Sequence, residues 1–130
     1  MQKEYKTTKE KNIQVSNVST IDDQSPSMQA QKQISAINGI VDVKAVNIGN
    51  NLYVAAKPTQ FKRLQLNSLR DEISKQLKAS FPTYQYHISL DSKIYKLVGQ
   101  LQNDVNKKEV NAVVIAKKAK KIESEMNSDT

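Results

Sequence analysis

Ile40-Val-Asp-Val-Lys-Ala-Val-Asn-Ile48, then Gly49-Asn50-Asn51, then Leu52-Tyr-Val-Ala-Ala-Lys-Pro58 reads as two strands joined by a tight turn. Val41, Val43 and Ala45 alternate with Asp42 and Lys44, the period of a strand with one apolar face. Val46 breaks that alternation and Ile48 follows it, which suggests a bulge or twist. Glycine and asparagine accept positive φ, so Gly49-Asn50-Asn51 is a hairpin turn. On the return, Leu52, Val54 and Ala56 share a face, with Tyr53, Ala55 and Lys57 opposite. Pro58 has no amide donor and stops the strand.

The flanks change period. Met28, Ile34 and Ile37 lie in a helix-forming run that Ser27 can cap and Asn38-Gly39 can end. Beyond the hairpin, Phe61, Leu66, Leu69, Ile73, Leu77 and Phe81 form one stripe of an amphipathic helix. Lys62, Arg63, Arg70, Lys75 and Lys78 fill much of the remainder, and Pro82 forces the exit. Tyr84, Tyr86, Ile88 and Leu90 alternate with Gln85, His87 and Ser89, a third strand. Asp91-Ser92 caps a helix bearing Ile94, Leu97, Val98, Leu101 and Val105. From Val110 to Ile122, Val113-Val114-Ile115 favours strand, whereas Ala112, Ala116, Ala119 and the lysines favour helix; helix is the expectation.

The fold class is therefore α+β: a two-layer α–β–β–α–β–α sandwich with a three-stranded mixed sheet and helices on one face. A hairpin, a right-handed crossover helix and a third strand make a split βαβ unit, with the first strand expected between the other two. That leaves Asp42, Lys44, Tyr53, Lys57, Gln85, His87 and Ser89 on or near the other face. Residues 28–108 form the domain, and 109–130 a helical extension with a frayed end. Residues 1–27 read as a flexible, disordered polar arm, because Ile13, Val15, Val18 and Ile21 bury too little to offset ordering entropy. A short strand over Asn12–Val18 is the alternative there.

The chain has 130 residues, net charge +7 and no cysteine. The absence of cysteine excludes a disulfide framework, a thiol nucleophile, a zinc–thiolate site and lipid attachment through cysteine within this sequence. No run of about 18 apolar residues is present, and Met1-Gln-Lys-Glu-Tyr-Lys does not open a signal peptide. The excess charge is concentrated in residues 25–110, which hold twelve basic and six acidic residues. Such a surface attracts phosphates, acidic wall polymers and anionic lipid heads.

Reactive constellations are thin. His87 is the single histidine and has no second ligand of metal type, so it reads as an exposed strand residue. His87, Ser89 and Asp91 are neighbours, but no nucleophile elbow presents the serine. Asp71-Glu72, in the first half of a helix, fits the helix dipole. Gly39, Gly49 and Gly99 are too scattered for a phosphate-cradling loop or a GXXG clamp, and only Tyr53 is placed to stack a base.

Ile37-Asn-Gly-Ile-Val-Asp-Val-Lys-Ala-Val46, followed by Asn47-Ile-Gly-Asn-Asn-Leu-Tyr-Val-Ala-Ala56, resembles the YhcN/YlaJ family of sporulation lipoproteins. The likeness spans Ile34–Leu101, including the strand Tyr84–Leu90 and the helix start Asp91-Ser92-Lys93-Ile94-Tyr95. It implies a membrane-anchored protein of the spore, concerned with spore assembly, germination or outgrowth, and brings no catalytic residues. The leader and lipid-bearing cysteine of that family are not in this sequence. Either the sequence begins after that cysteine or this member is not lipidated; the polar 1–27 segment fits the first. The location would be the spore membrane or envelope in the first case and the cytoplasm in the second. The element order is also similar to that of BON and ring-building-motif domains, which implies a module that binds membranes or packs side by side.

The expectation is a non-catalytic structural or interaction module of the spore envelope, with no metal, cofactor or small-molecule substrate. Its partners would be spore membrane, cell-wall components or itself. The alternative is a basic nucleic-acid-binding domain, which is disfavoured. The expected interaction surface has two sides: Arg63, Arg70 and Lys78 on the helix side, and Tyr53, Lys57 and His87 on the sheet side.

Overall fold

The computed structural model describes residues 22–60, 65–107 and 111–128. Its elements are α1 (Ser25–Ser35), β1 (Ile40–Ile48), β2 (Asn51–Pro58), α2 (Leu66–Ser80), β3 (Gln85–Ser89), α3 (Ser92–Val105) and α4 (Ala112–Ser128). This is the expected α+β class with a mixed three-stranded sheet, and the ambiguous segment after residue 110 is helical. Phe61, Lys62 and Arg63 lie outside the described residues, as does the arm up to residue 21, including Asn12–Val18.

The sheet order is β1-β2-β3, so the second strand is central, not the first. β1 and β2 pair antiparallel from Ile48↔Asn51 to Ile40↔Pro58. β2 and β3 pair parallel from Asn51↔Gln85 to Ala55↔Ser89. The unit β2–α2–β3 is thus a direct crossover between adjacent strands, and no strand splits it. The reason lies in β2, whose Leu52-Tyr53-Val54-Ala55-Ala56 is buried at every position. A strand apolar on both faces loses most if placed at an edge.

The sheet is covered on both faces, which makes three layers where two were expected. On one face, Ala30, Ile34 and Ile37 from α1 and its end, and Leu69, Ile73 and Leu77 from α2, pack on Val43, Ala45, Leu52, Val54 and Ala56. On the other, Ile94, Val98, Leu101 and Val105 of α3 and Ile115, Ala119 and Ile122 of α4 pack on Val46, Tyr53 and Ala55. The physical cause is the apolar stripe of α3, which needs a surface of its own once α1 and α2 fill the first face. Residues 112–128 are accordingly part of the packed body. Val46 is not a bulge: it points to the second core, while Val43 and Ala45 point to the first. The register irregularity falls between Ile40 and Asp42, and Val41 is left 59% exposed there.

The entry to the domain is earlier than residue 28. α1 begins at Ser25 with Pro26 in its first turn, so Ser27 is inside the helix and buried, and Met28 faces solvent. The Gln24 side-chain amide pairs with the β1 backbone: Asn47 N–H donates to Gln24 Oε1 at 3.0 Å, and Gln24 Nε2 donates to the Asn47 carbonyl at 2.8 Å. Asn47 returns the contact, taking the Ser27 N–H on Oδ1 at 3.1 Å and donating Nδ2 to the Asp23 carbonyl at 3.0 Å. Gly49, at φ 59°, sits in the two-residue hairpin loop, and its N–H donates to Asp22 Oδ2. Farther along β1, Gln102 of α3 donates to Gln31 Oε1 of α1 at 3.1 Å, tying the helices of opposite faces around the outer strand.

Candidate interaction surface

Of the six residues singled out from the sequence, five lie among the described residues. Tyr53 is 2% exposed, and its hydroxyl donates to Glu123 Oε2 of α4 at 2.8 Å. His87 is half-buried: its ring stacks on Tyr53 with centroids 4.6 Å apart and planes 15° apart, and Nε2 lies 2.9 Å from Asn51 Oδ1. Both were expected to face outward. They face the layer formed by α3 and α4, so α4 closes over them. Arg63 lies outside the described residues. Lys78 is exposed on α2, eight residues, or about 12 Å, beyond Arg70.

Lys57 and Arg70 do come together. Both are exposed and line a groove of about 400 Å³, joined by Lys96 of α3. Ala56, Pro58, Leu66 and Leu90 supply its apolar wall. The three cations have no ion pair among the described residues. Asp91 also lines this groove, but its carboxylate caps α3, accepting from Lys93 N–H at 2.9 Å and Ile94 N–H at 3.1 Å. The groove can therefore attract a phosphate or carboxylate while shielding an apolar neighbour of that group.

A second groove, of about 300 Å³, runs beside β3 and shares Arg70 and Asp91 with the first. It is lined by Tyr86, His87, Ile88 and Ser89, and by Met126 and Asn127 at the end of α4. His87, Ser89 and Asp91 meet here without forming a relay. His87 bonds Asn51, Ser89 Oγ accepts the Asp91 N–H at 3.1 Å, and the Asp91 carboxylate is spent on the cap. Among the described residues no cluster of three His, Asp or Glu side chains could hold a metal ion.

Electrostatics follow these contacts. Burial lowers the His87 pKa below its ordinary value; Glu123 opposes that shift and Lys120 adds to it. Burial raises the Tyr53 hydroxyl well above its usual range, and Glu123 adds to the effect. Tyr95 of α3 donates to Asp42 Oδ2 of β1, and this bond holds the Asp42 carboxyl below its usual value while pushing Tyr95 up to about 12. Lys44 stands 3.7 Å from the same carboxylate.

Lys96, Glu123 and the Tyr95–Asp42 pair escaped sequence reasoning. Lys96 stands two residues from both Ile94 and Val98 on α3, so its exposure was legible; its proximity to Lys57 needed the strand order. Glu123 sits 70 residues from Tyr53, and no local pattern links them.

No described helix is long and apolar enough to cross a membrane. No curated protein and no solved structure matches this chain. The αββαβ progression from α1 to β3, with its Gly-Asn hairpin and buried Leu-Tyr-Val-Ala-Ala strand, falls inside residues 1–115, which match the family described as sporulation lipoprotein YhcN/YlaJ, and the chain belongs to that family.

Proposed function

We propose that this protein is a non-catalytic interaction module of the spore envelope, working by holding a basic domain against an anionic surface or a second copy of itself. The observation that carries the reading is the membership of a sporulation lipoprotein family over residues 1–115. Two features support its non-catalytic part. Tyr53, His87, Ser89, Asp91 and Asp42 are each engaged in a bond that holds the fold together. Lys57, Arg70 and Lys96 converge on a groove rather than on a reacting group. A lipid anchor in the family supplies the address, and the domain supplies the contact.

The test is fractionation of spores carrying an epitope-tagged copy of the complete reading frame. The protein is expected in the membrane and envelope fraction and is released by detergent. Recovery in the spore cytosol, bound to nucleic acid and released by nuclease, would overturn the reading in favour of a nucleic-acid-binding domain.

A further inference from the structure

α4 sorts its charges by side. Its acids are Glu123 and Glu125, and both are committed: Glu123 accepts from the Tyr53 hydroxyl, and Glu125 pairs with Lys93 of α3. Lys118 reaches back to Asp104 of α3 at 2.6 Å. Ile115, Ala119 and Ile122 face the core. Among the side chains left outward, Val113, Lys117, Lys120 and Ser124 are spaced three to four residues apart on one stripe about 16 Å long, with Lys121 beside it, four residues from Lys117. Lys117, Lys120 and Lys121 have no ion pair among the described residues.

The same helix opens with two exposed valines. Val113 is 48% and Val114 44% exposed, and Asn111 caps the turn that presents them, its Oδ1 accepting from the Val113 and Val114 N–H groups at 2.9 and 3.3 Å. Beside the stripe, between α3 and α4, lies a cleft of about 190 Å³ with Leu97, Leu101 and Ile122 in its walls and Lys118 and Lys121 at its rim.

From this arrangement we infer that the outer face of α4 is a membrane-docking surface, laying Val113 and Val114 into the headgroup boundary of an anionic bilayer while Lys117, Lys120 and Lys121 contact lipid phosphates. The inference rests on the reading of the protein as an envelope interaction module and names the face it uses. Charge complementarity selects an anionic partner. The valines select a bilayer over a soluble polyanion: a phosphate polymer gains nothing from two exposed aliphatic side chains, whereas a lipid interface buries them. Both acids are engaged away from the lysine stripe, Glu123 by the Tyr53 hydroxyl and Glu125 by Lys93, which weakens the repulsion that would otherwise hold the helix off the surface. Each lysine near an anionic leaflet adds attraction that salt weakens.

The experiment is co-sedimentation of the protein with vesicles of phosphatidylglycerol and phosphatidylcholine, with vesicles of phosphatidylcholine alone, and a shift assay with mixed-sequence duplex DNA. Four variants are compared: Lys117→Gln/Lys120→Gln/Lys121→Gln, the same three to Glu, Val113→Ser/Val114→Ser, and Lys57→Gln/Arg70→Gln. All positions are exposed, and an unchanged thermal midpoint verifies each fold. The parent protein is expected to bind the anionic vesicles and not the neutral ones. The lysine variants are expected to lose at least about tenfold in affinity and the valine variant several-fold, while the Lys57/Arg70 variant stays within about twofold. Binding that survives the lysine variants, or that ignores the valines and is matched on DNA, overturns the inference. Loss through Lys57/Arg70 instead moves the contact to the groove, which overturns the α4 face and leaves the envelope reading intact. A parent protein that ignores anionic vesicles overturns the inference too, and spore fractionation then decides the envelope reading by itself.

Discussion

His87 illustrates how a residue with an exposed-looking sequence context is remade by a distant helix. Its ring lies flat on Tyr53, whose hydroxyl is held by Glu123, and Lys120 stands on the same helix. Burial favours the neutral imidazole, so its folded pKa lies below the unfolded value of about 6.5. Between those two values the unfolded chain binds more protons than the folded one, and stability rises with pH across that window. The contribution is present above the unfolded pKa and is lost as pH falls through the folded one. The denaturant midpoint is therefore expected to fall as pH drops below the unfolded value of about 6.5, and His87→Gln to flatten that slope. The carboxyls of Asp42, Asp104 and Glu125 are held below their usual range by their hydrogen-bond partners, on the acid side of that window. Parallel slopes for parent and variant would refute the assignment. Tyr53→Phe removes the hydroxyl that binds Glu123 and is expected to cost about 1 kcal/mol in urea denaturation, since Glu123 is only half-buried and can turn to water. A loss above about 3 kcal/mol would mean that the ring itself had moved.

Among the elements, α3 carries a correctable flaw. Gly99 lies in its interior, where glycine costs roughly 0.5–1 kcal/mol relative to alanine. A β-carbon added there would meet the Lys44 side chain at 3.6 Å, an ordinary contact. Gly99→Ala is thus expected to stabilise the fold by up to about 1 kcal/mol, read as a higher thermal midpoint; a decrease would show that Lys44 cannot give way. α3 is also where the sequence was most informative locally and least informative globally. Its Asp91 cap and its stripe Ile94, Val98, Leu101 and Val105 follow from spacing and chemistry within the helix. What the stripe packs on does not. A two-layer sandwich leaves it without a partner, and that orphaned stripe was the available sign of a second core. The central place of β2 had a sign as well. Its five consecutive buried positions, Leu52 to Ala56, form a continuous apolar run, whereas β1 is interrupted by Asp42 and Lys44. Reading the alternate residues of each run as facing solvent hid the difference. The groove partners Lys57, Arg70 and Lys96 come from three elements, so their meeting depends on strand order and layer count together.

At the scale of the molecule, the sheet is a partition with a core on each side, and the question is whether the two cores melt together. β2 belongs to both: Leu52, Val54 and Ala56 face one core, Tyr53 and Ala55 the other. The Gln102–Gln31 bond closes the same circuit around β1, and the Tyr53–Glu123 bond anchors α4 to the central strand. A cavity on either side therefore weakens a strand that the opposite side also needs. Ile73→Ala in the first core and Ile94→Ala in the second are each expected to cost about 2–5 kcal/mol, because both side chains are fully buried. Ile88→Ala, on the edge strand β3 and only partly buried, is expected to fall below that range, at about 1–2 kcal/mol. Each variant should unfold in one transition with an unchanged urea m-value, because the surface exposed on unfolding is common to all. Two resolved transitions in Ile94→Ala, with α3 and α4 melting before the hairpin and α2, would show that the faces are independent. The anionic-surface contact assigned to α4 would then sit on a layer able to detach from the sheet, and its strength would vary with the stability of the second core.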